Sequence, residues 1–273
     1  MLSFKVDKKK CTRCGECAAD CIAGIIKMED DAPSIPPELE EACYKCQHCM
    51  AVCPTGAVSI FDLSPAKSQP KAGLPTPLQL ASLMKVRRSV RRYEEGNVDR
   101  GLIQNLLEVA WHAPTGVNAR QVRFTVVDDR AKLAKLRGEI MEGLGRLVRE
   151  DALPEGYERF RGIVSAWEEK GEDIIFRNAP HIVVASTPKS VPTPLADCLI
   201  ALTYFELYAQ ANGVGTVWAG LAKYAIDDLL PETRKKLGIP DDHLVGYVMI
   251  FGKPAVSYAR GVQHRPAMIH TVE

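Results

Sequence analysis

The stretches CTRCGECAADC at residues 11–21 and CYKCQHCMAVC at residues 43–53 have the same cysteine spacing, and the second repeats the first 32 residues later. Eight of the nine cysteines lie in these two stretches. A short apolar segment follows each of them, at residues 22–26 and 57–61. The repeat predicts a small duplicated unit that is too short to build a stable core without a covalent or metal staple.

Cysteines at this density form either a disulfide framework or a metal site. The N-terminal sequence MLSFKVDKKK has no apolar signal-peptide core, which favours metal over disulfides. Structural zinc usually takes two separated cysteine pairs, whereas soft thiolates at intervals of three residues suit iron–sulfur clusters. Zinc knuckles and disulfides are the alternatives at this stage.

Residues 1–61 resemble bacterial two-cluster ferredoxins, in which the fourth cysteine of each run serves the other cluster. The resemblance implies two [4Fe–4S] clusters. Cluster I would be held by Cys11, Cys14, Cys17 and Cys53, and cluster II by Cys43, Cys46, Cys49 and Cys21. Ile22 departs from the pattern, since a proline often follows the first run, but proline is not a ligand.

Residues 62–77 contain four prolines and no apolar period, which predicts a linker between two domains. Residues 78–273 have the pattern of a globular α+β domain. Helices are predicted at 78–86, 102–113, 130–149, 195–211 and 226–237, and strands at 122–127, 181–186 and 244–251. Residues 153–179 have no clear place in this scheme and are a candidate lid. Cys198, on the apolar helix, is expected to be a buried structural thiol.

Four dispersed segments of the second domain suit a phosphorylated aromatic cofactor. RRSVR at 87–91 offers arginines and a hydroxyl for a phosphate, although a basic helix end is the plain alternative. APTGVN at 113–118 ends a helix in a tight turn that carries an amide. GVGTVWAG at 213–220 is not a dinucleotide fingerprint, because Trp218 replaces its last glycine. GKP at 252–254 is followed by Arg265.

In this order, the four segments resemble the FMN-dependent nitroreductase superfamily over residues 78–270. The resemblance implies an α+β fold with a central, mainly antiparallel sheet flanked by helices, and an FMN at the interface of a homodimer built by helix 195–211. It implies that Arg87, Ser89 and Arg265 hold the phosphate, with Arg88 and Arg91 near it or the ribityl chain. Pro114, Thr115 and Asn118 would contact the isoalloxazine, and Ala219, Gly220 and Leu221 would lie against the ring. Arg120 departs from the family, which often has Gln there.

Both resemblances together imply an oxidoreductase that passes electrons from an external donor through two [4Fe–4S] clusters to FMN. The donor would be a ferredoxin, a flavodoxin or an NAD(P)H-linked reductase. The acceptor would be a small aromatic or conjugated molecule of the nitro, quinone or enone type. The alternative is an electron-transfer protein that relays electrons to a protein partner.

Net charge and hydropathy argue against a nucleic-acid-binding protein and a membrane protein. The chain has 35 Lys and Arg against 34 Asp and Glu. This balance gives no large excess of positive charge for binding nucleic acid or an anionic membrane surface. Apolar runs stay well below the roughly 18 residues that a membrane span needs. We therefore expect a cytoplasmic protein. Lys8, Lys9 and Lys10 either dock an acidic donor or form a solvated charged face.

Overall fold

The computed structural model describes residues 2–272, which fall into two compact units. The first unit ends at Leu74 and also includes Val117–Ala119. The second comprises Pro75–Gly116 and the chain from Arg120 onward. Among residues 2–272, no helix combines the length and apolar character required to cross a bilayer.

The first unit is built from short elements around the cysteines. Strand β1 (Lys5–Val6) pairs with β4 (Val58–Ser59), and β2 (Lys27–Met28) pairs with β3 (Pro33–Ser34), both antiparallel. Each cysteine run contains one helical turn, α1 (Glu16–Ala19) or α2 (His48–Ala51). Its small core is made of Leu2, Cys17, Ile25, Ile26, Cys49, Met50, Val58 and Ile60. Two cysteines are thus core residues, so this unit depends on what its thiols bind.

Four strands form the sheet of the second unit within the described residues. They are β5 (Arg123–Val127), β6 (His181–Pro188), β7 (Gly215–Trp218) and β8 (His243–Gly252). Their order is β5-β6-β8-β7, and every neighbouring pair is antiparallel. The predicted α+β class with a mainly antiparallel sheet is confirmed. The sequence prediction missed β7, which lies inside the glycine-rich segment 213–220.

Both faces of the sheet are covered by helices. Successive residues of a strand point to opposite faces, so Ile182 and Val184 of β6 pack in one core and Val183 and Ala185 in the other. Helices α5 (Arg130–Arg149) and α6 (Arg159–Lys170) contribute to the first core, and α4 (Arg100–Ala110) and α7 (Pro194–Ala211) to the second. Because both faces of the sheet are buried in this three-layer arrangement, the sequences of the central strands are apolar at nearly every position.

Helix α7 packs tightly against β8 at Gly246. The register of β6 against β8 shifts between Ala185 and Ser186, opposite this glycine. A Cβ at Gly246 would collide with the Cβ of Cys198 on α7. Cys198 is completely buried, and burial raises the pKa of its thiol to about 12. Cys198 is therefore a packing residue.

The helix boundaries follow the capping residues. Helix α3 (Pro77–Val86) begins with a capping box between Thr76 and Gln79, and the Asp99 carboxylate accepts the Leu102 N–H at the start of α4 (2.9 Å). The prediction of one helix over 226–237 is wrong. The chain forms α8 (Gly220–Lys223), a short π-helix at Tyr224–Leu229 and α9 (Glu232–Lys236). The break before α9 falls at Pro231, which has no N–H to continue the helix.

The candidate lid at residues 153–179 belongs largely to the core. Phe160 and Phe176 are completely buried, and Trp167 packs against the same cluster under the Arg137 guanidinium. The Asp173 carboxylate, with no exposed side-chain surface, accepts the backbone N–H groups of Phe176 and Asn178 (both 2.8 Å). It also pairs with Arg137 at 3.0 Å, which ties the segment to α5.

Replacing Asp173 with Ala should therefore destabilise the second unit by about 3 kcal/mol, because Arg137 and two N–H groups lose a buried partner. All three tryptophans, Trp111, Trp167 and Trp218, lie in this unit, so tryptophan fluorescence during urea denaturation reports its unfolding. The matched control is Glu168→Ala, which breaks the exposed Glu168–Arg149 pair and should cost under about 0.5 kcal/mol. Equal effects in the two variants would contradict this account.

Candidate functional site

The eight clustered cysteines line two cavities of the first unit. The lining of one cavity includes Cys11, Cys14, Cys17 and Cys53. The lining of the other includes Cys21, Cys43, Cys46 and Cys49. We call them cavity I and cavity II. Each run therefore contributes three cysteines to one cavity and its fourth to the other, which is the grouping that the ferredoxin resemblance implies.

The thiols of each quartet lie near enough to influence one another. Burial raises the pKa of Cys17, and the neighbouring Cys53 and Cys11 raise it further. Burial likewise raises the pKa of Cys49 to about 11, with contributions from Cys46, Cys43 and Cys21. Four thiolates in such a site need positive charge among them, which a bound iron cluster provides.

The backbone turns in the same way in both runs. Arg13 and Gly15 in the first, and Lys45 and Gln47 in the second, all have positive φ angles between 54° and 79°. Such residues let a short loop curl around a centre while its N–H groups point inward. The Lys45 N–H donates to Cys43 Sγ (3.3 Å), and the Ala57 N–H donates to Cys53 Sγ (3.2 Å). Hydrogen bonds to sulfur are one way a protein sets a cluster's reduction potential.

All nine cysteines are free of disulfides. Among residues 2–272, no three His, Cys, Asp or Glu side chains converge as ligands of a single metal ion. The quartets surround cavities rather than a point, and their sulfur ligands suit an iron–sulfur cluster.

Three of the predicted cofactor segments meet at one edge of the second unit's sheet. The Val90 N–H donates to Thr216 O (3.0 Å), which places the basic segment 87–91 beside β7. The Glu94 N–H donates to Lys253 O (2.9 Å). The residues that follow the basic segment therefore lie beside the end of β8. A Cβ at Gly215 would lie only 2.5 Å from Val90, so this approach requires glycine.

Glu206 of α7 holds this edge together. Its carboxylate is almost completely buried, accepts Arg87 Nη1 (3.0 Å) and accepts Thr216 Oγ1 (3.3 Å). Arg87 is thereby fixed in direction at the end of α3, with its other guanidinium nitrogens left for another partner. Sequence reasoning missed Glu206, although an acid inside a mostly apolar helix was an available signal.

Asp197, the other acid of α7, fastens the turn at 113–118. It accepts the Gly116 N–H (3.0 Å) and the Thr193 hydroxyl (2.8 Å), and is itself buried. Thr115 Oγ1 accepts the Arg120 N–H at 3.0 Å, which closes the turn. Arg120, the residue that departs from the family pattern, donates to Ala113 O and stacks over the Trp111 ring at 4.9 Å.

The remaining predicted contacts are placed as follows. The Arg88 Nε atom is buried and has no hydrogen-bond partner within the described part of the chain, while its Nη2 donates to Lys85 O. The Ala219 N–H donates to Val248 O (2.9 Å), so Ala219, Gly220 and Leu221 follow directly from β7 at the start of α8. Arg91 and Pro114 are exposed.

Asn118 and Arg265 are the last two predicted contacts. Asn118 belongs to the first compact unit, where its Nδ2 donates to Tyr44 O (2.9 Å). Arg265 is exposed in the irregular C-terminal tail. The tail does reach the basic segment at another point, because Tyr258 Oη donates to Ser89 O (3.1 Å).

Comparison with known proteins bears on both units. Residues 84–253 match the Nitroreductase family model. The chain belongs to the nitroreductase family. Residues 10–58 match the 4Fe-4S dicluster domain. The predicted nitroreductase-type oxidoreductase with an N-terminal 4Fe–4S domain is thereby confirmed.

Individual relatives agree with this assignment. The iodotyrosine deiodinase of Thermotoga neapolitana is 31% identical over 64% of this chain and 88% of its own length. The crystal structure of a nitroreductase with bound FMN from Bacteroides fragilis superposes with a TM-score of 0.59 at 22% identity, over 71% of this chain and 99% of its own. A nitroreductase with bound FMN from Desulfitobacterium hafniense gives a TM-score of 0.55 at 23% identity, over 71% and 98%. These two structures show the fold of the second unit.

Paired substitutions test the grouping of the cysteines. Cys14→Ala with Cys53→Ala removes two thiols that line the same cavity, so the iron content should fall by about half. Cys14→Ala with Cys21→Ala damages both cavities and should leave almost none. If each run instead kept its own four cysteines, the two results would be exchanged. Iron and sulfide analysis of anaerobically purified protein decides, and Cys198→Ala, outside both cavities, should retain full iron.

Proposed function

We propose that this chain is an FMN-dependent oxidoreductase that transfers electrons from an external donor, by way of two [4Fe–4S] clusters, to a small aromatic or conjugated acceptor. The observation that carries the proposal is the presence, in one chain, of two four-cysteine cavities and a nitroreductase domain with a preformed arginine-rich edge. The donor would be a ferredoxin, a flavodoxin or an NAD(P)H-linked reductase. Acceptors of the nitro, quinone or enone type are expected.

The residues at the sheet edge fit the phosphate end of FMN. Arg88 Nε is a buried donor without a described partner, and a phosphate oxygen would satisfy it. Arg87 has one nitrogen engaged by Glu206, which orients its remaining donors for a phosphate. Ser89 adds a hydroxyl at the same edge, and Arg265 would add a further charge from the tail. The similar structures from B. fragilis and D. hafniense contain FMN.

The turn at 113–118 and the start of α8 fit the ring end. Asp197 and Thr115 hold the turn rigid, so the exposed Pro114 edge and the neighbouring N–H groups keep a fixed direction. Gly220 approaches Tyr247 closely, since a Cβ added at Gly220 would lie only 2.9 Å from Tyr247 Oη. When bound, the flavin supplies exchange between one-electron donors and two-electron acceptors. The protein's part is to orient the flavin and to offer preorganised N–H groups where negative charge develops.

Halogenated phenols are a second class of acceptor. The observation that favours them is the 31% identity to an iodotyrosine deiodinase. A solved iodotyrosine deiodinase bound to FMN and 3-iodo-L-tyrosine also superposes on 71% of this chain with a TM-score of 0.51.

We also propose that the protein acts as a homodimer in the cytoplasm. Large apolar side chains are exposed on α3 and α7, among them Leu78 (80% exposed), Leu195 (49%) and Tyr204 (41%). A second copy of the chain would cover such a surface. Sedimentation of the purified holoprotein measures the state directly.

The function is tested on protein purified without oxygen. About eight irons, eight sulfides and one acid-released FMN per chain are expected, with visible absorption that bleaches on reduction by dithionite. The reduced protein is then mixed with a nitroarene, a quinone, an enone and an iodophenol, and reoxidation is followed. Absence of flavin in protein with intact clusters would overturn the proposal. Reoxidation only by another redox protein would favour the relay alternative.

Arg87→Ala and Arg265→Ala should each weaken FMN binding by at least about tenfold, because each removes a charge-assisted phosphate contact. Iron content should stay unchanged, since neither residue lines a cysteine cavity. Flavin retention on a desalting column and a fluorescence titration of the apoflavoprotein measure the effect. Arg260→Ala is the matched control, as it removes an exposed charge from the same tail. Full retention of FMN by both variants would show that the phosphate is held elsewhere.

A further inference from the structure

The charges of the first unit are distributed unevenly along the chain. Residues 2–15 carry five basic residues and one acid, Asp7, whereas residues 16–41 carry eight acids and one base, Lys27. The five bases are Lys5, Lys8, Lys9, Lys10 and Arg13, and all are exposed. We call these five residues the basic face.

The basic face lies beside cavity I. Arg13 is itself a lining residue of cavity I, between Cys11 and Cys14. Lys10 lines an open groove that shares Thr55 with cavity I. Cys14 is the one exposed cysteine of the eight within the described residues. Cavity I is therefore where a cysteine ligand and positive charge reach the surface together.

Cavity II has different surroundings. Its lining includes neither Lys nor Arg. His48, which does line it, is engaged with Asp20 at 3.1 Å, and Ile22 beside it is 83% exposed. Cavity I thus has Arg13 in its lining and Lys10 in the adjoining groove, whereas the lining of cavity II offers a partner neither Lys nor Arg.

The basic face retains positive charge after its internal pairs are counted. Lys8 pairs with Asp31 (3.0 Å), Lys10 with Asp7 (3.8 Å) and Lys5 with Asp62 (3.6 Å). Lys9 and Arg13 form no ion pair within the described part of the chain. All three pairs are exposed, and such pairs are weak enough to be exchanged for those of a partner. Glu16 is the one acid in the lining of cavity I, and it does not offset both unpaired bases.

We propose that an acidic one-electron carrier protein docks on the basic face and delivers its electrons to the group held in cavity I. This inference rests on the proposed function and adds the partner's charge and its place of docking. Each docking transfers one electron: the carrier is oxidised by one electron, the cluster is reduced by one, and no bond or proton moves. Opposite charge on the two surfaces speeds the encounter and fixes its orientation.

The experiment uses the full-length holoprotein and a small acidic bacterial ferredoxin as the probe. Binding of the oxidised ferredoxin is measured by calorimetry at several salt concentrations, a readout that needs no turnover. Reduction of the clusters by the reduced ferredoxin is followed by stopped-flow absorbance. Methyl viologen radical, a small cation, is the comparison reductant.

Three double variants separate docking from general charge. Lys9→Gln/Lys10→Gln should weaken ferredoxin binding by about threefold or more, and Lys9→Glu/Lys10→Glu by about tenfold or more. Salt should weaken binding to the native protein and have less effect on the Glu variant. Reduction by methyl viologen radical should not slow in any variant. The matched control, Lys67→Gln/Lys71→Gln, removes two exposed lysines of the same unit outside both cavities and should bind ferredoxin within about twofold of native.

Equal affinity of the native protein and the Lys9→Glu/Lys10→Glu variant, with no salt dependence, would overturn the docking proposal. So would an equal loss in the Lys67→Gln/Lys71→Gln control. Failure of the proposed function looks different: the flavin would stay oxidised after the clusters are reduced by methyl viologen radical. Iron, sulfide and flavin contents, measured in every variant, confirm that the fold is intact.

Discussion

The antiparallel pairing of β6 with β8 is the interaction on which the second unit depends. Both strands are buried on both faces, so their hydrogen bonds are shielded from water and their side chains supply both cores. They also set the position of the edge that carries the predicted phosphate-binding segment: β7 pairs with β8, and the basic segment 87–91 lies beside β7. Successive backbone hydrogen bonds, from the central strands through β7, therefore position the arginines of segment 87–91.

Helix α7 carries two acids that hold segments of the candidate site in place. It packs so closely on the sheet that Gly246 must lack a side chain opposite Cys198. Its two acids are both buried, and each accepts a hydrogen bond from a segment predicted to contact the cofactor: Asp197 from the Gly116 N–H, and Glu206 from Arg87. Burying a carboxylate is costly unless it is fully partnered, so these contacts tie the stability of the unit to the geometry of the site.

Sequence alone predicted most elements, because buried strands and capped helices leave local signals. The strands at 181–186 and 244–251 follow from apolar runs. The misses have physical reasons. Strand β7 is hidden in a glycine-rich segment, and Pro231 divides what periodicity presents as one helix. The role of Glu206 depends on Arg87, 119 residues earlier in the chain, and such long-range proximity has no local signature.

The exchange of cysteines between the two cavities has a consequence for biogenesis. Cys53, the last of the eight to be synthesised, completes the set that Cys11 begins, while the set of Cys21 is completed by Cys43, Cys46 and Cys49. In the proposed two-cluster arrangement, neither cluster can acquire its fourth protein ligand until the second run has been synthesised at least as far as Cys49. In that arrangement each cluster would be completed only after most of the repeat has been made, and oxidative loss of one cluster would loosen a run that also carries a ligand of the other.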